Sequence, residues 1–133
     1  MSMRGLYGWA HEMKPHILTG KYGELLAGNW LRRNGFAILL SNWRYGRYEI
    51  DIVASKNNII HCVEVKTMRG NTFGFPEQQI RNSKLRHLCL AAVELMEQLK
   101  LDSLQIDILS VSVQYSAIEY FFIEDIFSGN QQP

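Results

Sequence analysis

Apolar residues return at helical intervals over about residues 20–34: Tyr22, Leu26 and Trp30 stand at i, i+4 and i+8, flanked by Leu25 and Leu31. Gly35 follows directly and suits the left-handed residue that ends a helix. The period then changes. About residues 36–43 form an apolar run without helical spacing, which predicts a strand, and Arg44, Tyr45, Gly46 and Arg47 read as a turn. About residues 48–54 predict a second strand, the stretch from Ser55 to Asn58 has turn chemistry, and about residues 59–67 predict a third strand. Three such strands in succession make a β-meander.

A glycine-bearing loop from Arg69 to Pro76 leads to a long helix over about residues 77–99, with Leu85, Leu88, Ala92, Met96 and Leu99 on its inner face and Arg81 and Lys84 on a more polar side. Two strands follow, at about residues 105–114 and 117–124. The order α-β-β-β-α-β-β predicts an α/β protein with a mixed central sheet flanked by helices. The 133 residues suit one domain, expected over residues 19–127, with an N-terminal extension at 1–18 and a flexible tail at 128–133.

Composition narrows the classes. A hydrophobic content of 47% fits a packed globular core. The two cysteines, Cys62 and Cys89, form no Cys-x-x-Cys pair, which excludes a zinc ribbon and favours reduced core thiols. With no signal-like N-terminus and no run approaching a membrane span, the expectation is a cytoplasmic protein without a membrane partner. The net charge of +1 points to no polyanion by itself, but the distribution is uneven. Residues 1–93 hold 13 Lys/Arg against 6 Asp/Glu, and residues 94–133 hold one lysine against 7 acids. Arg32, Arg33, Arg44 and Arg47 fall in one stretch without an acid, so a basic face on a nearly neutral protein is one reading, and charges that intermix in space are the other.

Side chains alternate along a strand. A regular second strand places Ile50 and Ile52 on one face and Glu49, Asp51 and Val53 on the other; a regular third strand places Val63, Val65 and Thr67 opposite Cys62, Glu64 and Lys66. Glu64 and Lys66 then point together from a strand otherwise apolar enough to be central, where charge is costly unless paired or coordinated. A meander brings Asp51 beside Glu64, and two close carboxylates repel unless a cation lies between them. Oxygen ligands suit Mg²⁺ or Mn²⁺. Glu24, on a helix with glycine neighbours, is the candidate third carboxylate. The residues alone leave two readings: Glu64 and Lys66 as an ion-paired surface of an edge strand, or phosphodiester hydrolysis, with Asp51, Glu64 and Glu24 as metal ligands, Lys66 orienting water or stabilising charge, and Arg44, Arg47, Arg69, Arg81 and Lys84 on flanking phosphates. Tyr45 and Tyr48 are candidates for base stacking, whereas Trp30, Trp43 and His61 read as packed residues.

These residues also carry a family resemblance. Gly20, Gly23-Glu24, Ala27, Trp30-Leu31, Gly35-Phe36, Asn42-Trp43-Arg44, the run from Glu49 to Ala54, the run from Val63 to Thr67, Phe73-Gly74, Pro76, Lys84 and Ala91-Ala92 follow in order and spacing. By them the chain resembles the YraN-like family (the UPF0102 group), which is similar to archaeal Holliday-junction resolvases of the PD-(D/E)xK nuclease superfamily. Met68 departs from the pattern, which often has a basic residue there. The resemblance implies a restriction-endonuclease-like fold, active-site positions at Glu24, Asp51, Glu64 and Lys66, and structured or branched DNA as the partner, for which a C2 homodimer would be suited. Two alternatives stay open: a nucleic-acid-binding accessory protein with little cleavage, and a protein-interaction domain using the acidic C-terminal third.

Overall fold

The structure, a computed structural model, describes residues 15–69 and 82–127. The loop expected before the second helix, the start of that helix, Arg81 and the tail lie outside the described residues. Helix α1 (Pro15–Arg33) starts ahead of its predicted boundary. Proline is tolerated in a first turn because its missing N–H has no intrahelical partner there. The helix ends as expected: Gly35 has φ 88, Phe36 N donates to Leu31 O at 3.0 Å and Gly35 N to Arg32 O at 3.2 Å. This double closure satisfies the last carbonyls and drops Leu31 and Phe36 into the same core.

Strands β1 (Ala37–Tyr45), β2 (Tyr48–Lys56) and β3 (Ile59–Arg69) form the predicted meander. Tyr45 pairs with Tyr48, so the first turn holds only Gly46 and Arg47 and is tighter than the four residues expected. Asn57 and Asn58, with φ 52 and 64, make the second hairpin turn, where asparagine tolerates the left-handed backbone that matches strand twist.

Helix α2 (Asn82–Leu99) precedes β4 (Gln105–Val113) and β5 (Ile118–Ile123). Leu101 N donates to Met96 O at 2.9 Å across Lys100, whose φ is 54. Unlike Gly35, a lysine in that conformation carries about 1 kcal/mol of steric cost. Lys100→Gly is expected to raise stability by roughly 0.5 kcal/mol, after the greater unfolded-state freedom of glycine is deducted, and Tm by about 1–3 °C. A lower melting temperature would show that Lys100 gains more from its surroundings than its backbone loses.

The sheet order is β1-β2-β3-β4-β5. All pairs are antiparallel except β3 with β4. Parallel neighbours need a crossover, and the segment containing α2 supplies it. Helix α1 packs on one face, where Ala27, Leu31, Phe36, Ile52, Val63 and Leu109 form a core. On the other face α2 packs Leu88, Ala91, Ala92 and Leu95 against Ile50, Val53, Cys62 and Ile106. This is the mixed, helix-flanked sheet, in the order α-β-β-β-α-β-β, that the sequence predicts.

Some packing differs from the helical reading. Leu99 is 47% exposed rather than on the inner face of α2, because the chain is already turning out of the helix at Lys100. Both cysteines are free. Trp30 stacks on Tyr120 at 5.9 Å and meets the edge of Phe122 at 5.2 Å, and Trp43 packs against the α2 core. Among the described residues, no helix is long and apolar enough to cross a membrane.

Candidate active site

The site begins where two strands part. The β2–β3 ladder runs from Lys56↔Ile59 to Ile52↔Val63. Just beyond the last pair, Val65 N donates to Asp51 Oδ2 at 2.8 Å. A carboxylate thus fills the gap left by the ladder and satisfies an amide that would otherwise lack its strand partner.

Strict alternation fails at this point. Ile50 and Val53 lie in the α2 core, whereas Ile52 and Ala54 lie in the α1 core, so Ile50 and Ile52 do not share a face. The cause is local. Pairs Ser41↔Ile52 and Trp43↔Ile50 set Asn42 opposite Asp51, and Asn42 has φ 52, a left-handed residue inside a strand. With an irregular neighbour on one side and a parting ladder on the other, β2 slips its pleat at Asp51.

Strand β3 keeps its alternation. Cys62 faces the α2 core and Val63 and Val65 face α1. Glu64 therefore turns toward α2, and Lys84 Nζ of that helix stands 3.5 Å from Glu64 Oε1. Lys66, half-buried, lies two residues on along the same face. Lys84, expected on a flanking phosphate, has a carboxylate partner here.

Glu64 is only 6% exposed, and as a carboxylate it finds no donor for its buried Oε2. Burial first, and then the charge of Asp51, push its pKa up to about 8 against the opposing pull of Lys84. Protonated, Glu64 hydrogen-bonds to Asp51. Burial also raises Asp51, although the Val65 amide and Lys84 favour its charged form. The two acids behave as a pair that resists holding two negative charges.

Glu24 approaches from the opposite side of the sheet. A Cβ on Gly23 would fall on the Thr67 side chain, so glycine lets α1 lie against β3 and places the next residue at the site. Gly23→Val is expected to cost about 1–3 kcal/mol through overpacking, measured by urea denaturation. An unchanged midpoint would show that α1 is not seated at this contact. The Glu24 pKa is raised, by burial first and by Asp51 second, with Glu49 adding to the effect and Asn42 opposing it.

Glu24, Asn42, Glu49 and Asp51 line an open cleft of about 650 Å³, along with Lys21, Arg32 and Arg44. The Asn42 amide nitrogen donates to Glu24 Oε2 and to Glu49 Oε1, each at 3.1 Å, in the orientation the two carboxylates dictate. Among the described residues, no three Asp, Glu, His or Cys side chains are grouped as metal ligands. The structure joins Asp51 to Glu64 and sets Glu24 near Asp51, without closing all three into one cluster.

The remaining candidates are dispersed. Arg44 pairs with Glu49 at 3.6 Å on the cleft rim. Arg47 lies over the Tyr48 ring at 5.5 Å, and that ring also meets His87 at 5.0 Å, which turns Tyr48 toward packing and leaves Tyr45 the more exposed ring. Arg69 is exposed at the end of β3. His61 is packed, as expected: its Nδ1 is 2.6 Å from Asp107 Oδ2, and its ring meets the edge of Phe36. Asp107 was not anticipated. It is fully buried, and its Oδ1 accepts from Asp125 N at 2.8 Å, tying the segment after β5 to β4. An acid within an apolar strand, the signal that singled out Glu64, is present there too.

The pattern of UPF0102, described as an uncharacterised protein family, matches residues 23–111. That span holds Gly23, Glu24, Asn42, Asp51, Glu64 and Lys66. A UPF0102 protein of Flavobacterium psychrophilum is 39% identical over 90 residues, covering 68% of this chain and 76% of that one. A UPF0102 protein of Bacteroides fragilis is 38% identical over 90 residues, covering 68% and 74%. Among solved structures, the crystal structure of SSO0001 has a TM-score of 0.39 at 17% identity, covering 94% of this chain and 63% of that one.

Proposed function

The chain belongs to the UPF0102 family, and from that premise we propose that it is a metal-dependent phosphodiester hydrolase acting on structured or branched DNA. The observation that carries this reading is the buried Asp51–Glu64 pair with its unpartnered Glu64 Oε2. A buried carboxylate oxygen without a donor costs about 1–3 kcal/mol; a proton relieves it up to about pH 8, and above that only a cation can. A divalent cation fits the donor chemistry: two hard oxygen ligands, mutually repelling, at a polar break in an apolar sheet.

Asp51 and Glu64 would hold Mg²⁺ or Mn²⁺, with Glu24 reaching from the cleft side. When bound, such an ion polarises a phosphate oxygen and makes a bound water more acidic. Lys66 supplies a fixed positive charge on the Glu64 face, suited to orienting water or stabilising charge on the phosphoryl group. Arg44, Arg47, Arg69 and Arg81 are the proposed contacts for flanking phosphates, with Lys84 joining them from the Glu64 side. The branched character of the substrate rests on the family resemblance to junction resolvases.

The test is incubation of the purified chain with duplex, single-stranded and four-way-junction DNA in Mg²⁺, Mn²⁺ or EDTA. Metal-dependent cleavage with a preference for the junction is expected. Cleavage that persists in EDTA would overturn the metal dependence, and binding without cleavage would favour an accessory role.

A further inference from the structure

Asn42 occupies a position that strand geometry does not explain. It is left-handed, with φ 52, in the interior of β1, and it stands opposite Asp51, where β2 slips its pleat. A left-handed residue within a strand re-aims its side chain, and asparagine bears that conformation more easily than most residues. The side chain is aimed at two acids. Its amide nitrogen has two N–H groups, and it lies 3.1 Å from Glu24 Oε2 on α1 and 3.1 Å from Glu49 Oε1 on β2. Glu49 is held in turn by Arg44, at 3.6 Å.

We infer that Asn42 is a positioning residue, whose amide clamps Glu24 beside Glu49 and so fixes Glu24 toward Asp51. The inference rests on the hydrolase reading above and deepens it. Glu24 sits on a helix and Asp51 on a strand, and these elements meet across an open cleft. A free glutamate there has three rotatable bonds and two like-charged neighbours, and it would swing outward. A donor bridging both carboxylates offsets that repulsion without adding charge. It acts through Glu24 and need not touch DNA.

The test uses Asn42→Gly in the full chain, because glycine adopts the left-handed backbone freely and removes only the amide. Cleavage of junction DNA with Mn²⁺ is expected to lose about 10-fold or more in kcat, with KM for DNA changed by less than about 2-fold. In a Glu24→Gln background, the same substitution is expected to cost less than about 2-fold further, since the group it positions is already disabled. Unaltered kcat, or equal losses in both backgrounds, would overturn the inference. A second readout needs no cleavage: the Asn42 side-chain amide NMR signals of the metal-free protein are expected to shift in Glu24→Gln and in Glu49→Gln. Signals unmoved by both substitutions would overturn the clamp. Signals that move, in a protein that cleaves no DNA with any metal, would support the clamp and sink the hydrolase reading.

Discussion

Asp51→Asn should reduce metal-dependent cleavage by about 100-fold or more while leaving the fold intact. The two halves of this expectation come from different atoms. Asp51 Oδ2 accepts the Val65 amide at 2.8 Å where the β2–β3 ladder ends. The asparagine side-chain oxygen can accept the same bond, so the gap between the strands stays filled. What asparagine lacks is charge. Asp51 is the acid whose field reaches both Glu24 and Glu64, so it stands between two carboxylates that otherwise lie on opposite faces of the sheet. Removing its charge should weaken the proposed cation binding from either side. Single-turnover cleavage at saturating DNA, with circular dichroism as a control for folding, measures both halves. The rise in Tm expected of the natural chain with Mg²⁺, by mass action, should be mostly lost in the variant. A folded variant that cleaves within about 2-fold of the natural rate would remove Asp51 from the site.

The reach of sequence reading over this site follows the regularity of the backbone. Helix α1 was legible because Leu26, Leu31 and Gly35 are set by helical period and by a terminator that adopts φ 88 without steric cost. Strand β3 is regular, so alternation places Glu64 on the α2 side and Val63 and Val65 on the α1 side. Asp51 was identified as a residue but assigned to a face by a rule that its own strand breaks. That break depends on Asn42 across the ladder and on the loss of pairing to β3, neither of which is a property of β2 alone. Asn42 itself was visible only as part of a family pattern. A polar residue near a turn has no distinctive signal until α1 folds over it and brings Glu24 within reach. The partnership of His61 and Asp107 spans strands that pair only after the crossover, so local pattern suggested a packed histidine but not its partner.

Glu64→Gln should make the metal-free protein more stable at pH 8.5 while removing its response to Mg²⁺. An unfolded glutamate releases its proton near its ordinary value of 4.5, whereas burial and the Asp51 charge keep Glu64 protonated in the fold until about pH 8. Between those values the folded state binds more protons than the unfolded state, so stability falls as pH rises. The stability contributed by the protonated group is fully present below about 4.5 and is lost as pH rises through about 8. The raised pKa of Glu24 acts in the same direction. Glutamine imitates the protonated acid at every pH, so the stability difference between variant and natural chain should grow from near zero at pH 4 to on the order of 2–4 kcal/mol at pH 8.5. Urea denaturation in EDTA measures that difference, and a constant offset across the range would show that Glu64 ionises normally in the fold. Adding Mg²⁺ at pH 8.5 should stabilise the natural chain, because the ion favours the doubly charged pair, and should leave the glutamine variant nearly unchanged. Equal stabilisation of both would place the ion away from Glu64. The instability of the ion-free pair at high pH is thus the physical counterpart of its proposed affinity for a cation: a carboxylate with one oxygen held without a donor in the α2 face of the sheet is poorly placed for folding and well placed for binding an ion.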